Sequence, residues 1–489
     1  MSHATGILAF GAYIPQRRLQ RSAVYAANAW FAPGLKGQSK GERAIACWDE
    51  DTVTMAVEAS RDCLTGLERS AISGITLAST TLPYADRLNS GLVKEALCLE
   101  NTLTANDQTG SLRAGTSALI QALNGTTTQL VVAADLRKAR PASEGELVQG
   151  DAAAAILVGR AGQGLGEIAA TFLGSHSITI DFVDHFRSTS ADFDYGWESR
   201  WIRDEGHTKI LGGALKEALT KLGVTGADID HAVIPIAVRG VPESLAKSCG
   251  IKPEAVRDSL SAVVGDSGAA HPLLMLAAAL QAAKPGEKIL LAGFGQGADV
   301  LLFQATDAVG RAPEQLGVAG HLARARKDTN YTRFLFHRGL LDMEKGMRAE
   351  MDEKQPGTSL YRHRKAVMGL VGGRCTKTGT VQFPKTEIGV NANDRSQGTQ
   401  EDYPLADKIA KIVTYTADSL SFSPDPPVYY GAIDFEGGGR LVAEFADCSA
   451  EDVEVGREMR MVFRIKAMDH ARDFTKYFWK AVPVQKGDA

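Results

Sequence analysis

Two side chains in the segment 265–272, GDSGAAHP, have the chemistry needed for acid–base catalysis. Asp266 has a carboxylate that could act as a base, and His271 has an imidazole, which titrates near neutral pH. His271 stands at the start of a predicted helix, where it could shuttle a proton. It fits equally well as a helix residue packed under a loop, and both interpretations stay open.

The segment 181–210 is dense in acidic, aromatic and basic side chains. Its acid–base candidates are Asp184, His185, Tyr195 and Glu198. Its aromatic side chains offer a ring-stacking surface. Basic side chains could bind phosphate groups through charge-assisted hydrogen bonds, and the candidates are Arg200, Arg203 and Lys209. The alternative is a solvated excursion held by ion pairs.

The elements that must position these residues occur twice along the chain. Residues 113–124 have apolar positions at helical spacing, and the short runs 129–134 and 152–158 are typical of strands buried on both faces of a sheet. The same order returns later, as a helix at 271–283 and strands at 288–292 and 298–304. The chain is therefore predicted to contain two related α/β halves.

Duplicated halves related by a pseudo-twofold axis would bring the loops 106–112 and 265–270 to one site. Helix N-termini carry free N–H groups and a partial positive charge, which suit an oxyanion or a thioester carbonyl. The alternative is that the two helices are ordinary buried central helices.

From residue 411 onwards, short runs that alternate apolar and polar residues are separated by Gly, Pro and Asp turns. This pattern predicts a small β-barrel, an OB-fold.

Composition limits the class of protein. The 489 residues suggest two or three structural units, and 44% hydrophobic with 23% charged residues describes a globular α/β chain. A net charge of -4 argues against nucleic acid as a main partner. The six scattered cysteines suggest neither disulfides nor a metal site, and no apolar run approaches the roughly 20 residues of a membrane helix. We therefore expect a cytoplasmic protein with no membrane partner.

Several segments together resemble the hydroxymethylglutaryl-CoA synthase branch of the thiolase superfamily. They are GILAFGAYIPQRRL at 6–19, WDEDTVTMAVEASRD at 48–62, SLRAGTSAL at 111–119, GDAAAAILVG at 150–159 and GFGQGADVLLF at 293–303. The resemblance implies a duplicated five-layer αβαβα fold and a homodimer or higher homo-oligomer that acts on small acyl substrates as CoA thioesters. Lys209, within TKI, matches a lysine that the family uses for CoA.

The resemblance divides the chain into five parts. We expect a thiolase-like N-terminal half at 1–165, a C-terminal half at 166–310, a linker and helical arm at 311–370, a zinc-ribbon-like segment at 371–400 and an OB-fold domain at 401–489. The segment 372–384, GGRCTKTGTVQFP, is similar to zinc ribbons that accompany such proteins, but it keeps Cys375 and has Thr378 in place of the second thiolate. Because tetrahedral zinc needs four donors, we expect no metal.

The catalytic groups of the synthase family are replaced. The resemblance places its nucleophilic cysteine at Leu112, its general acid at Thr81 and its histidine near Pro235. Ser111 is the neighbouring hydroxyl, although no positioned base is evident in the sequence around it. Asp266 stands where many relatives have an asparagine or histidine that holds the thioester oxygen.

These substitutions leave three hypotheses. The first is an enzyme that makes or breaks a carbon–carbon bond in a β-keto or β-hydroxy acyl substrate, by retro-aldol or retro-Claisen chemistry without a covalent intermediate, with an aromatic β-keto acid as one substrate class. The second is a noncatalytic acyl-CoA-binding scaffold. The third is a condensing acyltransferase of the synthase type that uses another thiol, such as Cys47 or Cys98.

Overall fold

The computed structural model describes residues 4–162, 165–310, 312, 314–394 and 396–485. These residues divide into two compact units. The first unit contains the described residues up to Ala46 together with Asp51–Gly91 and Leu99–Tyr331, and the second contains Cys47–Glu50, Leu92–Cys98 and the chain from Thr332 onwards. All the acid–base candidates of the sequence lie in the first unit.

The N-terminal half of the first unit is built on a five-stranded sheet of order β1-β7-β6-β4-β5. The elements of residues 5–160 are β1 (Thr5–Tyr13), β2 (Arg17–Gln20), α1 (Arg21–Asn28), β3 (Glu42–Ala44), α2 (Thr52–Cys63), β4 (Gly74–Ala78), α3 (Asn89–Ala96), β5 (Thr104–Gln108), α4 (Ala114–Asn124), β6 (Gln129–Asp135), α5 (Glu144–Val148) and β7 (Ala152–Arg160). An Asp51 side chain that accepts a hydrogen bond from the Thr54 N–H caps the start of α2.

The second half repeats this order with the sheet β8-β13-β12-β11. Its elements are β8 (Ala170–Thr179), β9 (His185–Phe186), β10 (Tyr195–Gly196), α6 (Ser199–Trp201), α7 (Gly212–Leu222), β11 (His231–Val233), α8 (Val241–Ser248), α9 (His271–Ala282), β12 (Lys288–Phe294), β13 (Gly297–Ala305), α10 (Gly317–Ala323) and β14 (Arg326–Asp328). A π-helix, Ile202–Leu211, joins α6 to α7. Val256 forms a parallel bridge with Ala232, at the position that β5 occupies beside β4 in the first half.

The two sheets join where β1 meets β8, through the pairs Gly6–Thr171 and Ile7–Ala170. A Cβ at position 6 would lie 2.3 Å from the Ala170 carbonyl oxygen, so this junction accepts only glycine. The predicted repetition of helix and strand order is therefore confirmed, and the two halves form one continuous structure.

Helices α4 and α9 lie between the sheets. Because strand side chains alternate, Ile289 and Leu291 of β12 face the core that contains both helices, whereas Leu290 and Ala292 face the core that contains α7 and α8. Helix α2 packs on β1, β6 and β7. The layers α2, first sheet, α4 with α9, second sheet and α7 with α8 are the predicted αβαβα arrangement.

The part of the chain predicted as a linker and helical arm contains regular structure. Helix α10 and strand β14 belong to the first unit, and β14 pairs in parallel with β2. The elements that follow are α11 (Tyr331–His337), α12 (Gly357–Arg362) and α13 (Arg364–Gly369).

The second unit ends in a closed five-stranded barrel of order β18-β19-β20-β22-β21, which confirms the predicted β-barrel. The strands of this unit are β15 (Val371–Cys375), β16 (Val381–Gln382), β17 (Gln400–Pro404), β18 (Ala410–Asp418), β19 (Val428–Phe435), β20 (Arg440–Phe445), β21 (Glu458–Asp469) and β22 (Phe474–Pro483). Trp479 fills the unit's core, and its indole N–H donates to the Met368 carbonyl over 2.7 Å.

Strands β15, β16 and β17 form a separate three-stranded sheet at the place of the predicted zinc-ribbon-like segment. The Cys375 Sγ lies 3.2 Å from the Thr399 Oγ1, and hydrogen bonds from Thr378 and Thr399 lower the pKa of the thiol to about 6. Within the described residues, no group of three or more His, Cys, Asp or Glu side chains is placed to hold a metal ion. None of the helices in the described ranges is long and apolar enough to cross a membrane.

Candidate active site

The start of α4 and the loop before α9 are in close contact. A Cβ at Gly115, in the first turn of α4, would lie 2.6 Å from the carbonyl oxygen of Ala269, in the loop before α9. Packed central helices would make the same contact, so a common site at the loops 106–112 and 265–270 stays a prediction. Leu112, just before α4, is half-buried.

The start of α4 is fixed by a buried carboxylate from the second half. Asp299 of β13 accepts hydrogen bonds from Arg113 Nη1 at 2.9 Å, Thr116 Oγ1 at 2.9 Å and Ser117 Oγ at 2.7 Å. The Ser111 Oγ donates to the Gly295 carbonyl at 2.9 Å. The Ser111 hydroxyl is therefore held by backbone, and the hydrogen bonds of the described residues bring no base to it.

Asp135, at the carboxyl end of β6, organises the loops around the site. One of its carboxylate oxygens accepts from the Ser79 hydroxyl at 2.8 Å, the Thr80 N–H at 2.7 Å and the Thr81 hydroxyl at 3.0 Å. The other accepts from the Ala269 N–H at 2.7 Å. Asp135 thus ties the loop after β4 to the loop before α9, and Thr81 serves this framework.

Asp184 and His185 form a carboxylate–imidazole pair in the second half. The His185 Nδ1 lies 3.1 Å from the Asp184 Oδ1; the Asp184 residue is 8% exposed and the His185 side chain 23% exposed. Burial raises the pKa of Asp184, but the hydrogen bond and charge of His185 outweigh it and the pKa is lowered. A partly exposed imidazole oriented by a buried carboxylate is an arrangement that suits a general base.

A chain of ion pairs anchors the β9–β10 hairpin, which carries His185. Asp194 pairs with Arg187 and, at 3.3 Å, with Arg137 Nη2. Arg187 also donates to the Thr80 carbonyl, so the hairpin is bound to the same loops that Asp135 organises. His185 is therefore held close to the carboxyl ends of β4 and β6.

Asp266 lies on the other side of Arg137, with 3.7 Å between its Oδ2 and the Arg137 Nη1. Burial raises the pKa of Asp266. Four interactions oppose burial and leave the pKa below its ordinary value: the charges of Arg137 and His271, the hydrogen bond from the Gly268 N–H and the charge of His185. Asp266 is half-buried and ionised at neutral pH. Because His185 acts on its pKa, these two groups share one electrostatic environment.

His271 has both ring nitrogens engaged by the protein. Its Nε2 lies 2.9 Å from the Ser259 carbonyl and its Nδ1 lies 3.1 Å from the Ser267 hydroxyl. Burial lowers its pKa, although the charge of Asp266 acts in the opposite direction. This geometry favours the interpretation of a residue packed under a loop over that of a proton shuttle.

The other predicted residues of the segment 181–210 lie on the surface. Tyr195 and Glu198 are exposed. The basic candidates make solvated ion pairs, Arg203 with Asp204 at 2.8 Å, Arg200 with Asp204 at 3.8 Å and Lys209 with Glu205 at 2.5 Å. The role of Tyr195 and Glu198 in acid–base chemistry, and of the basic residues toward CoA phosphates, stays a prediction.

Three residues of this framework were missed by the sequence reasoning: Asp135, Arg137 and Asp194. Asp135 had a usable signal, because it directly follows a buried strand predicted at 129–134, and polar residues at strand ends often line sites. The ion-pair network of Arg137 and Asp194 joins residues far apart in the chain and has no local signal.

The fold and the site together define the class: a thiolase-like α/β unit followed by an OB-fold barrel. Two family models agree with this. The model "3-Oxoacyl-[acyl-carrier-protein (ACP)] synthase III C terminal" matches residues 219–301, and "ChsH2, C-terminal OB-fold domain" matches residues 403–464.

Among curated proteins, the chain is similar to archaeal hydroxymethylglutaryl-CoA synthases. The enzyme of Caldivirga maquilingensis is 28% identical over 356 residues, which is 70% of this chain and 100% of the relative. The enzyme of Methanosarcina mazei is 29% identical over 349 residues, 68% of this chain and 98% of the relative.

Solved structures show the same fold at lower identity. A hydroxymethylglutaryl-CoA synthase complexed with CoA has a TM-score of 0.57 at 19% identity and covers 72% of this chain and 95% of its own. The 3-oxoacyl-(acyl carrier protein) synthase III from Pseudomonas aeruginosa has a TM-score of 0.54 at 20% identity and covers 63% of this chain and 99% of its own. The thiolase-like fold of the first unit is thereby established.

Proposed function

We propose that this protein is an acyl-CoA enzyme that makes or breaks a carbon–carbon bond without a cysteine nucleophile. Its similarity to hydroxymethylglutaryl-CoA synthases supports an acyl-CoA substrate. Leu112 stands at the position that the resemblance assigns to the cysteine, and a hydrocarbon side chain forms no acyl-enzyme. In the proposed reaction, proton transfer promotes the carbon–carbon bond change without a covalent acyl-enzyme.

The observation that carries this proposal is the Asp184–His185 pair, whose Nδ1–Oδ1 distance is 3.1 Å. Its imidazole acts on the pKa of Asp266, which lies on the loop that meets the start of α4. The influence of His185 on Asp266 supports a site that a base, a second carboxylate and the helix starts would share. Such an arrangement suits the formation of an enolate from a thioester.

In the cleavage direction, His185 removes the proton of a β-hydroxyl group. The Cα–Cβ bond breaks, and its electron pair becomes the enolate of the thioester, while the β-carbon leaves as a carbonyl compound. The enolate then takes a proton at Cα to give a shorter acyl-CoA. Asp184 stabilises the imidazolium that forms in between, and the N–H groups at the helix starts stabilise the enolate oxygen.

Aromatic side chains beside this pair support an aromatic acyl group as the substrate class. Phe186, Tyr195 and Trp197 are exposed, with ring centroids 5.4 Å apart for the first two and 6.1 Å apart for Tyr195 and Trp197. They lie on the hairpin of His185 or directly after it, where they offer a stacking surface next to the reacting group.

The test is turnover with purified protein, acetyl-CoA, CoA and a panel of β-hydroxy- and β-keto-acyl-CoA thioesters, followed by chromatography and mass spectrometry. We expect His185→Asn and Asp184→Asn to lower kcat by about 10²- to 10⁴-fold. His176→Asn is the matched control, because His176 forms a similar 3.1 Å pair with Glu217 away from the site. Wild-type rates in His185→Asn would overturn the mechanism.

Other outcomes of the same experiment separate the rival functions. Binding of acyl-CoA with no turnover of any thioester would support the scaffold. Loss of turnover after thiol alkylation would support a synthase that uses another cysteine, such as Cys47 or Cys98. A cytoplasmic homodimer without nucleic-acid or membrane partners remains part of the proposal.

A further inference from the structure

His207 is a buried polar residue that the framework of the site does not use. It lies in the π-helix Ile202–Leu211 and is 7% exposed. Its Nδ1 is buried without a hydrogen-bond partner among the described residues. A buried polar atom of this kind is costly unless something bonds to it, and π-helical turns are frequent at functional sites.

The ring of His207 is placed by aromatic packing. Its centroid lies 5.0 Å from that of Phe294, edge to face. The preceding Gly206 is pressed between the rings of Phe182 and Phe294, where a Cβ would lie within 2.9 Å of both. The position of the imidazole is therefore set by the end of β12 and by the π-helix.

This position connects His207 to the site of the proposed reaction. Gly295 follows Phe294 in the chain and lies close to the start of α4. A Cβ at Gly295 would lie 3.2 Å from the Leu112 nitrogen. The charges of Asp184 and Asp266 also act on His207. The ring therefore packs on Phe294, whose neighbour Gly295 contacts the start of α4, and it interacts with both carboxylates.

From this placement we propose that His207 is a further catalytic residue, which donates a hydrogen bond from a neutral imidazole to the carbonyl oxygen of the acyl substrate. The proposal rests on the proposed function and adds the group that polarises the carbonyl. A neutral imidazole is a suitable donor, because it stabilises an enolate oxygen without giving up a full proton to it.

The charge state of His207 agrees with this role. Burial lowers its pKa to about 4, and it outweighs the charges of Asp184 and Asp266, which raise it. The flanking rings of Phe182 and Phe294 carry no charge. The imidazole is therefore neutral throughout the pH range in which the enzyme would work.

The direct test follows the imidazole nitrogens of ¹⁵N-histidine-labelled protein by NMR, with His207→Gln used for assignment. We expect the His207 nitrogens to report a neutral ring down to pH 5 and to shift when acetyl-CoA or acetoacetyl-CoA is added. His231, which is paired with Glu287 at 2.8 Å, should not move. A His207 signal unchanged by CoA thioesters that shift the His185 signal would overturn the inference.

Kinetics separate this inference from the proposed function. His207→Phe keeps the ring packing but has no N–H, so kcat should fall about 10²- to 10³-fold with KM within about twofold. His207→Gln can still donate and should recover part of the loss. Wild-type kcat in His207→Phe would refute the role of His207 alone, whereas absence of turnover in the wild type would refute the proposed function.

Discussion

At the scale of single residues, burial separates the functional charges from the solvated ones. The ion pairs of Arg200, Arg203 and Lys209 are exposed, and such solvated pairs contribute little to stability. Asp184 and Arg137 are buried, and removing a partner from a buried pair leaves an uncompensated charge. The same residue types therefore have different roles in one segment.

Asp266→Asn should destabilise the protein in a pH-dependent way. The folded-state pKa of Asp266 is lowered, so its ionised form contributes stability that is present above the ordinary carboxyl pKa of about 3.9 and is lost as pH falls through the folded value. Urea unfolding should give the variant a lower free energy of unfolding than the wild type at pH 7. The two free energies should converge in acid. A constant difference across pH would contradict this.

Glu50, in the second unit, has a pKa that is shifted in the opposite direction to that of Asp266. Burial raises its pKa to about 7 despite Arg464, whose Nη2 lies 3.2 Å from the Glu50 Oε1. Its protonated form is favoured in the folded state, so the stability that it contributes is full below pH 4.5 and is lost as pH rises through about 7.

We therefore expect Glu50→Gln to flatten the stability profile between pH 4.5 and 7. The free energy of unfolding should decrease from pH 5 to pH 8. This decrease should be smaller in the variant than in the wild type by up to about 3 kcal/mol. Denaturant titrations followed by tryptophan fluorescence at the two pH values measure this, and parallel profiles for the two proteins would exclude it.

At the scale of elements, the site depends on how closely α4 approaches the loop before α9. That approach is possible because residue 115 is glycine, and it is maintained by Asp135, which bonds to the Ala269 N–H at 2.7 Å. The β9–β10 hairpin is bound to the same framework through Asp194 and Arg137. Secondary structure alone positions none of these contacts.

Gly115→Ala tests this packing. Its Cβ would lie 2.6 Å from the Ala269 oxygen, so we expect a loss of about 1 to 3 kcal/mol in unfolding free energy and a lower kcat. Gly213→Ala in α7 is the matched control, because no atom lies within 4 Å of its Cβ and alanine favours a helix. The two melting temperatures should move in opposite directions, and equal shifts would argue against a tight α4 contact.

At the scale of the whole molecule, the duplicated half is the main architectural feature. The sheet β1-β7-β6-β4-β5 ends in the edge strand β5, whose residues Thr104–Gln108 are partly exposed. Edge strands present unpaired backbone groups, which favour association. The homodimer expected from the sequence could form through this edge.

Light scattering on the purified chain should therefore give a molar mass of twice the 52.1 kDa of one chain, independent of ionic strength. Charged substitutions in β5 should shift this mass toward the monomer without unfolding the sheet. A monomer at micromolar concentration would contradict the prediction.

Much of the fold could be predicted because it is encoded in local patterns. Helices α4 and α9, strands β6, β7, β12 and β13 and the barrel strands follow from apolar spacing and turn residues, which act within a few positions of the chain. The expected convergence of the two loops followed from the repetition of these elements. The assignment of Leu112 to the position of a nucleophile rests on the resemblance of the segment SLRAGTSAL and stays a prediction.

The site itself was decided by tertiary structure. His271 and Asp266 are five positions apart, yet one is enclosed by Ser259 and Ser267 while the other remains half-buried beside Arg137. The ion pairs of Asp194 with Arg187 and Arg137 join segments that lie far apart in the chain. Desolvation and charge pairing set the pKa values of Asp266 and His271 and depend on which groups the fold encloses, so the sequence supplied candidates and the packing chose among them.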